Sequence, residues 1–186
     1  MRIISGELKG RSIKFLKNSN TRPLKDPVKE NIFNILQHSN SINIDIQNSN
    51  VLDLYSGIGS FGIECISRGA KKVTFIDKDK DATKILKENL SSLSLIKKSE
   101  VFVSEIEKVI SSKLEEKFNI FFLDPPFKDL NYHQNLYFIK KNKLYEKKHI
   151  VIIHRERKLN EEIASLLKVI EIKNYGRSKI IFGVFN

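Results

Sequence analysis

Cysteine is almost absent from this sequence, and so are long apolar segments, and each absence narrows the class of protein. The 186 residues include one cysteine, Cys65, which excludes an internal disulfide and favours a reducing cytoplasm. No apolar run approaches the roughly 18–20 residues that would span a bilayer. The N-terminus also lacks the cationic and apolar regions of a signal peptide. We therefore expect a cytoplasmic protein with no membrane segment, folded as one compact unit.

Proline and glycine are also scarce, so the places where they cluster are informative. Only four prolines and eight glycines occur, and two of the prolines are adjacent at 125–126 while three of the glycines lie between 57 and 62. Both clusters directly follow a predicted strand. They mark the two segments whose backbone geometry carries most of the functional prediction.

Basic residues, in contrast, are abundant and unevenly distributed. The net charge is +11, and residues 1–30 alone contribute +5. A basic face beside a catalytic domain indicates a polyanionic substrate, although a solvated lysine-rich surface is the simpler alternative. The predicted phosphate contacts in this segment are Arg2, Lys9, Arg11, Arg22, Lys25 and Lys29. A second predicted contact is the cluster Lys140, Lys141, Lys143, Lys147 and Lys148.

From residue 50 onward, strand and helix patterns alternate. The predicted strands are 51–55, 72–77, 100–103, 119–124, 149–154, 169–173 and 179–185, and the predicted helices are 60–70, 79–93, 105–116 and 159–168. Such alternation predicts an α/β fold: a Rossmann-like, doubly wound and mostly parallel seven-stranded sheet. The last two strands are joined by a short turn and must form an antiparallel hairpin. Residues 1–40 are predicted to form a basic extension that includes a helix over 27–38, and residues 41–186 are predicted to form the main domain. Residues 39–50, at the junction of the two, are predicted to be a polar linker.

The first strand leads into a glycine loop that predicts an adenosine-type ligand. Gly57, Gly59 and Gly62 allow a tight turn and close approach of a ligand to the backbone. A G-x-G-x-x-G pattern alone would suggest a dinucleotide. However, Asp53 lies four residues before Gly57, where a carboxylate repels a pyrophosphate but suits the ammonium group of S-adenosylmethionine. Asp77 ends the second strand, where an acid can accept hydrogen bonds from ribose hydroxyls in either ligand.

The fourth strand ends in Asp124-Pro125-Pro126-Phe127, on the same sheet edge as the glycine loop. An exocyclic amine of a base is a poor nucleophile because its lone pair is delocalised. The Asp124 carboxylate and the Pro125 carbonyl can accept its two N–H bonds and direct the nitrogen at a methyl carbon, while the prolines stiffen the loop. Phe127 offers a ring on which a base can stack, a contact worth about 1–3 kcal/mol. We therefore predict methyl transfer to an amino group.

These motifs, in this order, resemble those of the RsmD family, which methylates guanine N2 in small-subunit (16S) ribosomal RNA with S-adenosylmethionine. The resemblance rests on five segments: RIISGELKGRSI (2–13), TRPLKDPVKENIFNIL (21–36), LDLYSGIGSFGIECISRGAKKV (52–73), FFLDPPF (121–127) and YGRSKIIFGVF (175–185). The glycine loop and DPPF are shared by many methyltransferases. The G-x-x-x-G-R pattern from Gly6, the R-P…E-x-x-F-N pattern and S-R-G-A select this family.

The resemblance implies roles for individual residues. The cofactor site would comprise Asp53, Tyr55, Ser56, Gly57, Gly59, Asp77, Lys78, Ser104, Glu105 and Ile106. The amine would lie at Asp124, Pro125, Pro126 and Phe127, and Arg22, Pro23, Glu30 and Asn34 would belong to a motif that closes over cofactor and substrate. No metal is implied. The partner would be small-subunit ribosomal RNA, naked or in a partly assembled particle, and we expect a monomer.

The sequence departs from the family pattern in several positions. The R-P segment continues with Leu24 and Pro27 instead of Thr and a basic residue. Ser104 replaces the usual Asp that contacts the adenine amine, so a backbone amide near Glu105 or Ile106 is the alternative contact. His154 stands where the fifth strand usually ends in Glu, and we interpret it as a strand-end residue.

Other functions remain open at this stage. They are a DNA or RNA adenine-N6 or cytosine-N4 methyltransferase, a protein-glutamine methyltransferase, an NAD oxidoreductase, and a relative that binds S-adenosylmethionine and RNA without turnover. Intact Asp53, Gly57, Gly59 and Asp124 argue against loss of activity. The chain also has little room for the target-recognition region of a DNA enzyme.

Overall fold

The computed structural model describes residues 1–15, 24–159 and 162–186, and its centre is one seven-stranded sheet. The strands are β1 Asn50–Leu54, β2 Lys72–Asp77, β3 Ser99–Val103, β4 Phe118–Leu123, β5 Tyr145–Glu156, β6 Leu167–Tyr175 and β7 Ser178–Phe185. Five helices accompany them: α1 Asp26–His38, α2 Ser60–Ser67, α3 Lys80–Ser92, α4 Ile106–Ser112 and α5 Tyr132–Lys141. Within the described ranges, no helix is long and apolar enough to cross a membrane.

The strand order explains where a ligand can bind. The order is β3-β2-β1-β4-β5-β7-β6, with β1 to β5 parallel and β7 antiparallel to both β5 and β6. From β1 the chain adds β2 and then β3 on one side of β1. It then returns to the other side of β1, where β4 begins the second half of the sheet. Between β1 and β4 the winding direction reverses, which in open α/β sheets is where ligands bind, at the carboxyl ends of the strands.

The central strands β1, β2 and β4 bury both of their faces, as their nearly continuous apolar runs predict, whereas the edge strands β3 and β6 are partly exposed. On β1, Val51 packs in one core with α1, α2 and α3, whereas Leu52 and Leu54 pack in a second core with α4 and α5. Side chains alternate between the two cores because successive residues of a strand point to opposite faces. The predicted doubly wound architecture with its closing antiparallel hairpin is therefore confirmed.

The basic N-terminal segment folds back on itself and onto α2. Residues 2 and 12 form an antiparallel bridge, and the amides of Ile4 and Ser5 both donate to the buried carboxylate of Glu64 at 2.9 Å. Gly6 has φ +84°, and a Cβ there would lie 1.8 Å from the carbonyl oxygen of Ser67. Only glycine therefore allows this contact. The G-x-x-x-G-R and S-R-G-A motifs meet at this point.

Two sequence predictions about elements were wrong, and one helix was not predicted at all. The predicted helix over 159–168 is absent from its described part: residues 164–166 form a turn and Leu167 already begins β6, paired with Phe185. Helix α5 was not predicted. Residues 39–50 are irregular but not a solvated linker, because Ile42 and Ile46 are 5% exposed and belong to the core.

Candidate active site

A cavity of about 1100 Å³ opens at the carboxyl ends of the parallel strands, as expected for this topology. It brings together nearly all the residues predicted for the cofactor and the amine. These are Asp53, Tyr55, Ser56, Gly57, Asp77, Lys78, Ser104, Glu105, Ile106, Asp124, Pro125, Pro126 and Phe127. Gly59 is the exception and does not line the cavity.

Gly59 is required for the loop geometry instead. It caps α2 with φ +81°, and a Cβ at this position would lie 2.3 Å from Cδ1 of Leu86 on α3. Two neighbouring residues, Tyr55 and Gly57, also have positive φ, 57° and 53°. A non-glycine residue in this conformation is strained, and such strain clusters at ligand sites. The glycine loop is therefore a tight turn that lies between β1 and the N-terminus of α2 and lines the cavity.

Asp53 presents a buried carboxylate to this cavity. The amide of Gly62 donates to Oδ2 at 2.9 Å, whereas Oδ1 is buried and has no hydrogen-bond partner among the described residues. Burial, and then the nearby charges of Asp124 and Asp77, raise the pKa of Asp53 well above its usual 3.8. A buried, half-satisfied carboxylate is costly, so a cationic amino group in the cavity would stabilise it.

Asp77 lies on the opposite side of the glycine loop. Its Oδ2 accepts from the amide of Gly57 at 2.7 Å and its Oδ1 from the amide of Asp79 at 2.9 Å. Burial raises the pKa of Asp77, and these two amide hydrogen bonds partly oppose the rise. Each carboxylate oxygen carries a further lone pair, so the held carboxylate can still accept ribose hydroxyls.

Asp124 is paired with a histidine in the cavity. Nδ1 of His154 lies 2.8 Å from Oδ1 of Asp124, with the two side chains 14% and 22% exposed. Nε2 of His154 is buried without a partner in the described ranges, and the ring meets Phe127 edge-on at 5.9 Å. With Asp124 ionised, Nδ1–H donates to it. His154 therefore orients the carboxylate, a contact that its interpretation as a strand-end residue missed.

Arg155, the next residue on β5, supports the DPPF loop from the opposite face. Its side chain is completely buried, and its guanidinium donates to the carbonyl oxygens of Pro126 at 3.1 Å and Phe127 at 3.0 Å. It also stacks over the ring of Tyr132, 4.6 Å from the centroid. Sequence reasoning missed Arg155, because an arginine in HIVIIHRER reads as a surface charge.

Two further walls of the cavity come from segments distant in sequence. One comprises Phe15, Leu24, Lys25 and Val28, which flank the undescribed residues 16–23. The other is the β6–β7 hairpin, through Tyr175, Gly176, Arg177 and Ser178. The YGRS sequence belongs to the family resemblance, but sequence reasoning did not predict that it would line the cavity.

The predicted phosphate contacts have different outcomes. The prediction for Lys29 is wrong, because its side chain is 0% exposed and cannot contact a phosphate. Its Nζ lies 3.2 Å from Oγ of Ser60 and 3.8 Å from Oε2 of Glu64. Burial lowers the pKa of Lys29, and the neighbouring acids oppose that fall. Arg22 lies outside the described residues. Lys25 is exposed at the cavity, whereas Arg2, Lys9 and Arg11 are exposed away from it.

The sheet order, the glycine loop with its buried Asp53, and DPPF at the end of β4 together define a class I S-adenosylmethionine-dependent methyltransferase. A family model described as "conserved hypothetical protein 95" matches residues 1–184. The chain belongs to this family, the RsmD family of methyltransferases.

Comparisons with individual proteins agree with this assignment. The ribosomal RNA small subunit methyltransferase D of Buchnera aphidicola subsp. Baizongia pistaciae is 31% identical over 185 residues, covering 100% of this chain and 91% of that protein. The Bacillus subtilis protein YlbH, named as a candidate rRNA methyltransferase, is 35% identical over 86% of this chain and 84% of its own length. The solved Escherichia coli protein yhhF, 24% identical, has the same fold, with a TM-score of 0.82 over 98% of this chain and 96% of that chain.

Proposed function

We propose that this enzyme transfers a methyl group from S-adenosylmethionine to the exocyclic N2 amine of a guanine in 16S ribosomal RNA. The observation that carries the proposal is the Asp124–His154 pair facing the same cavity as the unsatisfied carboxylate of Asp53. The relatives named for small-subunit ribosomal RNA methylation supply the substrate. An NAD oxidoreductase would use neither Asp53 nor DPPF.

The residues present fit S-adenosylmethionine. Oδ1 of Asp53 would accept from its amino group, and Asp77 would accept from the ribose hydroxyls. The backbone from Ser104 to Ile106 would meet the adenine, replacing the acid that the family usually has there. When bound, the cofactor supplies an electrophilic methyl group on a sulfonium sulfur.

The chain's own contribution to the reaction is to position the amine and take its proton. His154 holds Oδ1 of Asp124, and Oδ2 of the carboxylate so oriented would accept one N–H of the amine. The Pro125 carbonyl accepts the second N–H bond, which rotates the nitrogen lone pair out of conjugation with the base. The C–N bond would form as the methyl group leaves the sulfonium sulfur of the bound cofactor, and Asp124 would take the proton that the amine then loses.

The target guanine must leave any helix in which it is stacked to reach the cavity. Phe127, half-buried beside His154, would stack on the extruded base. Lys25 lies at the cavity and would contact a flanking phosphate, and the same role is proposed for the exposed Arg2, Lys9 and Arg11. Such contacts bind RNA without reading its sequence. We further propose that the enzyme acts in the cytoplasm as a monomer, and that residues 1–40 form the RNA side of the molecule.

Asp124→Ala tests the chemistry. We expect cofactor affinity within about twofold of wild type, measured by calorimetry, because Asp124 lies at the amine and not at the cofactor. We expect kcat to fall at least about a hundredfold, since the variant loses both the orienting acceptor and the proton acceptor. Full turnover in this variant would show that the amine is activated elsewhere.

The substrate is tested with labelled S-adenosylmethionine and small-subunit particles from a strain that lacks the gene. We expect label in the RNA and its recovery as N2-methylguanosine. Recovery as N6-methyladenosine would retain the mechanism but replace the base. Absence of any label, with normal cofactor binding, would favour a binding protein over an enzyme.

A further inference from the structure

The outer face of α5 carries apolar side chains that the fold does not bury. Tyr132, Leu136 and Ile139 on its inner face are 0% exposed and belong to the core. In contrast, Leu130 just before the helix is 64% exposed and Tyr137 is 49% exposed. Large apolar side chains at such exposure, one in a helix and one in the loop that leads into it, mark a binding surface more often than isolated ones do.

These exposed residues form a continuous line. Gln134, Tyr137 and Lys141 follow one another at spacings of three and four residues, which places them on one face of α5, and Leu130 lies in the loop four residues before Gln134. We call these four residues the α5 stripe. All four are exposed.

The α5 stripe begins at the active site. Gln134 belongs to the stripe and also lines the cavity, together with Asn131 and Lys128 of the loop that follows DPPF. A chain leaving the cavity on this side therefore reaches Tyr137 about one helical turn beyond Gln134, and Lys141 one turn further. The stripe is an extension of the cavity along the protein surface.

The chemistry of the stripe fits single-stranded nucleic acid. An exposed aromatic ring can stack on any base, and a neighbouring ammonium group can pair with the phosphate that follows. Nζ of Lys141 lies 5.9 Å from the centroid of the Tyr137 ring, so cation and ring are already adjacent. Lys128, Lys141 and Lys143 are exposed nearby, and this positive charge favours a polyanion over an apolar protein partner.

We infer that the α5 stripe binds the single-stranded nucleotides next to the target guanine, with a base on Tyr137 and a phosphate at Lys141. The inference rests on the proposed RNA substrate. It gives the enzyme a means of holding the RNA strand once the guanine has entered the cavity, on the side opposite Lys25 and the N-terminal segment. The stripe contributes affinity for RNA and takes no part in the chemical step.

Tyr137→Ala is the first test, and Tyr137→Phe and Ile172→Ala are its controls. Phenylalanine keeps the ring, and Ile172 is 50% exposed on the edge strand β6, in a comparable setting but outside the stripe. Binding of a fluorescent single-stranded RNA oligonucleotide is measured by anisotropy at fixed salt, with S-adenosylmethionine present. We expect Tyr137→Ala to weaken binding by about tenfold, as loss of one stacked base predicts, and both controls to bind within about twofold of wild type.

Steady-state methylation of small-subunit particles separates the possible outcomes. We expect Tyr137→Ala to raise KM about tenfold with kcat unchanged, which is the signature of lost uniform binding. An unchanged KM, or a fall in kcat alone, would overturn the role of the stripe while leaving the proposed function intact. A raised KM on particles with unchanged binding of the oligonucleotide would assign the stripe to a ribosomal protein and also overturn it. If wild type methylates no particle, the proposed function itself fails.

Discussion

At the scale of single residues, Asp53 is a binding residue that lowers the stability of the cofactor-free protein. Its carboxylate is buried, half-satisfied and close to two other acids. An acid whose pKa is raised in the folded state contributes stability at low pH and loses that contribution as pH rises through the raised value. The cofactor-free enzyme should therefore become less stable, relative to a neutral variant, as pH rises above about 4.

Asp53→Asn tests this interpretation. We expect the cofactor-free variant to melt at a higher temperature than wild type at pH 8, because no buried charge remains. Its affinity for S-adenosylmethionine should fall about ten- to hundredfold, as loss of a hydrogen bond to a charged group predicts. Wild-type affinity should rise with pH as Asp53 ionises, and that rise should be absent from the variant. Calorimetry across pH measures both quantities, and a variant that binds like wild type would contradict the assignment.

His154 makes a second residue-scale prediction. His154→Ala removes the donor that fixes Oδ1 of Asp124, so kcat should fall about tenfold while the KM for cofactor stays within twofold. His154→Asn should recover most of the loss, because its amide N–H can take the place of Nδ1–H. His38→Ala, at the exposed end of α1, is the matched control. Equal losses in the alanine and asparagine variants would rule out an orienting role.

At the scale of elements, β5 determines the shape of the DPPF loop through two consecutive side chains. Strand alternation directs His154 to the Asp124 carboxylate and Arg155 to the loop carbonyls and Tyr132. The loop is thus held from both faces of the sheet. The prolines restrict its backbone, and β5 determines where that restricted backbone lies.

Arg155→Lys should damage catalysis more than binding. A lysine offers a point charge in place of the planar fork that reaches both carbonyl oxygens. We expect kcat to fall about ten- to hundredfold, since small displacements of reacting groups carry such costs, while cofactor affinity stays within about twofold. Arg157→Lys, exposed one residue beyond the end of β5, should be neutral. Circular dichroism and melting establish that the variants fold, and an equal loss of cofactor binding would indicate a general structural role.

The sequence was most informative about the strands and the ligand loops. Apolar runs ending in Asp53, Asp77 and Asp124 are local signals, and the structure brings all three acids to one cavity. The sequence was least informative where tertiary contacts determine the secondary structure. LNEEIASLLK has helical spacing, yet its described end joins the sheet because Leu167 pairs with Phe185. Helix α5 was missed although its buried Tyr132, Leu136 and Ile139 have helical spacing, so this signal was present in the sequence.

The burial of Lys29 and Arg155 was also not predicted, although the sequence pattern around Lys29 indicates it. Lys29 precedes Ile32, Phe33 and Leu36 at spacings that place all four on one face of α1, so its burial could have been read from periodicity. Arg155 left no such signal. Its partners are backbone carbonyls nearly thirty residues away, and side-chain patterns do not reveal them.

At the scale of the whole molecule, the N-terminal segment and the catalytic domain share one ionic centre. Glu64 is fully buried, lies 3.8 Å from Nζ of Lys29, accepts from Nε of Arg68 at 2.9 Å and holds the amides of residues 4 and 5. Described apolar residues of 1–40 lie in the same core as β1 and α2. The segment is therefore fixed by charge as well as by apolar packing.

Glu64→Gln should destabilise the whole fold. Removing one member of a buried ion pair costs about 3–5 kcal/mol, which for a chain of this size lowers Tm by roughly 6–20 °C. Lys29 would keep only the half-exposed Asp26, 3.6 Å from its Nζ, so we expect the lower part of this range. Adding Lys29→Met should recover part of the loss. Lys72→Met, which breaks partly exposed pairs with Glu100 and Glu116, should cost no more than about 1 kcal/mol. Thermal and urea unfolding measure these changes, and a Glu64→Gln loss as small as that of Lys72→Met would contradict the argument.

The position of β7 has a consequence for biosynthesis. β7 lies between β5 and β6 and pairs with both, so the last of the seven strands along the described chain occupies the interior of the sheet. A nascent or truncated chain without residues 178–185 exposes the unpaired edge of β5 and leaves β6 with no neighbour. Such edges invite aggregation and proteolysis. Truncation after Arg177 should therefore yield a product that the cell degrades, and not a weakened enzyme.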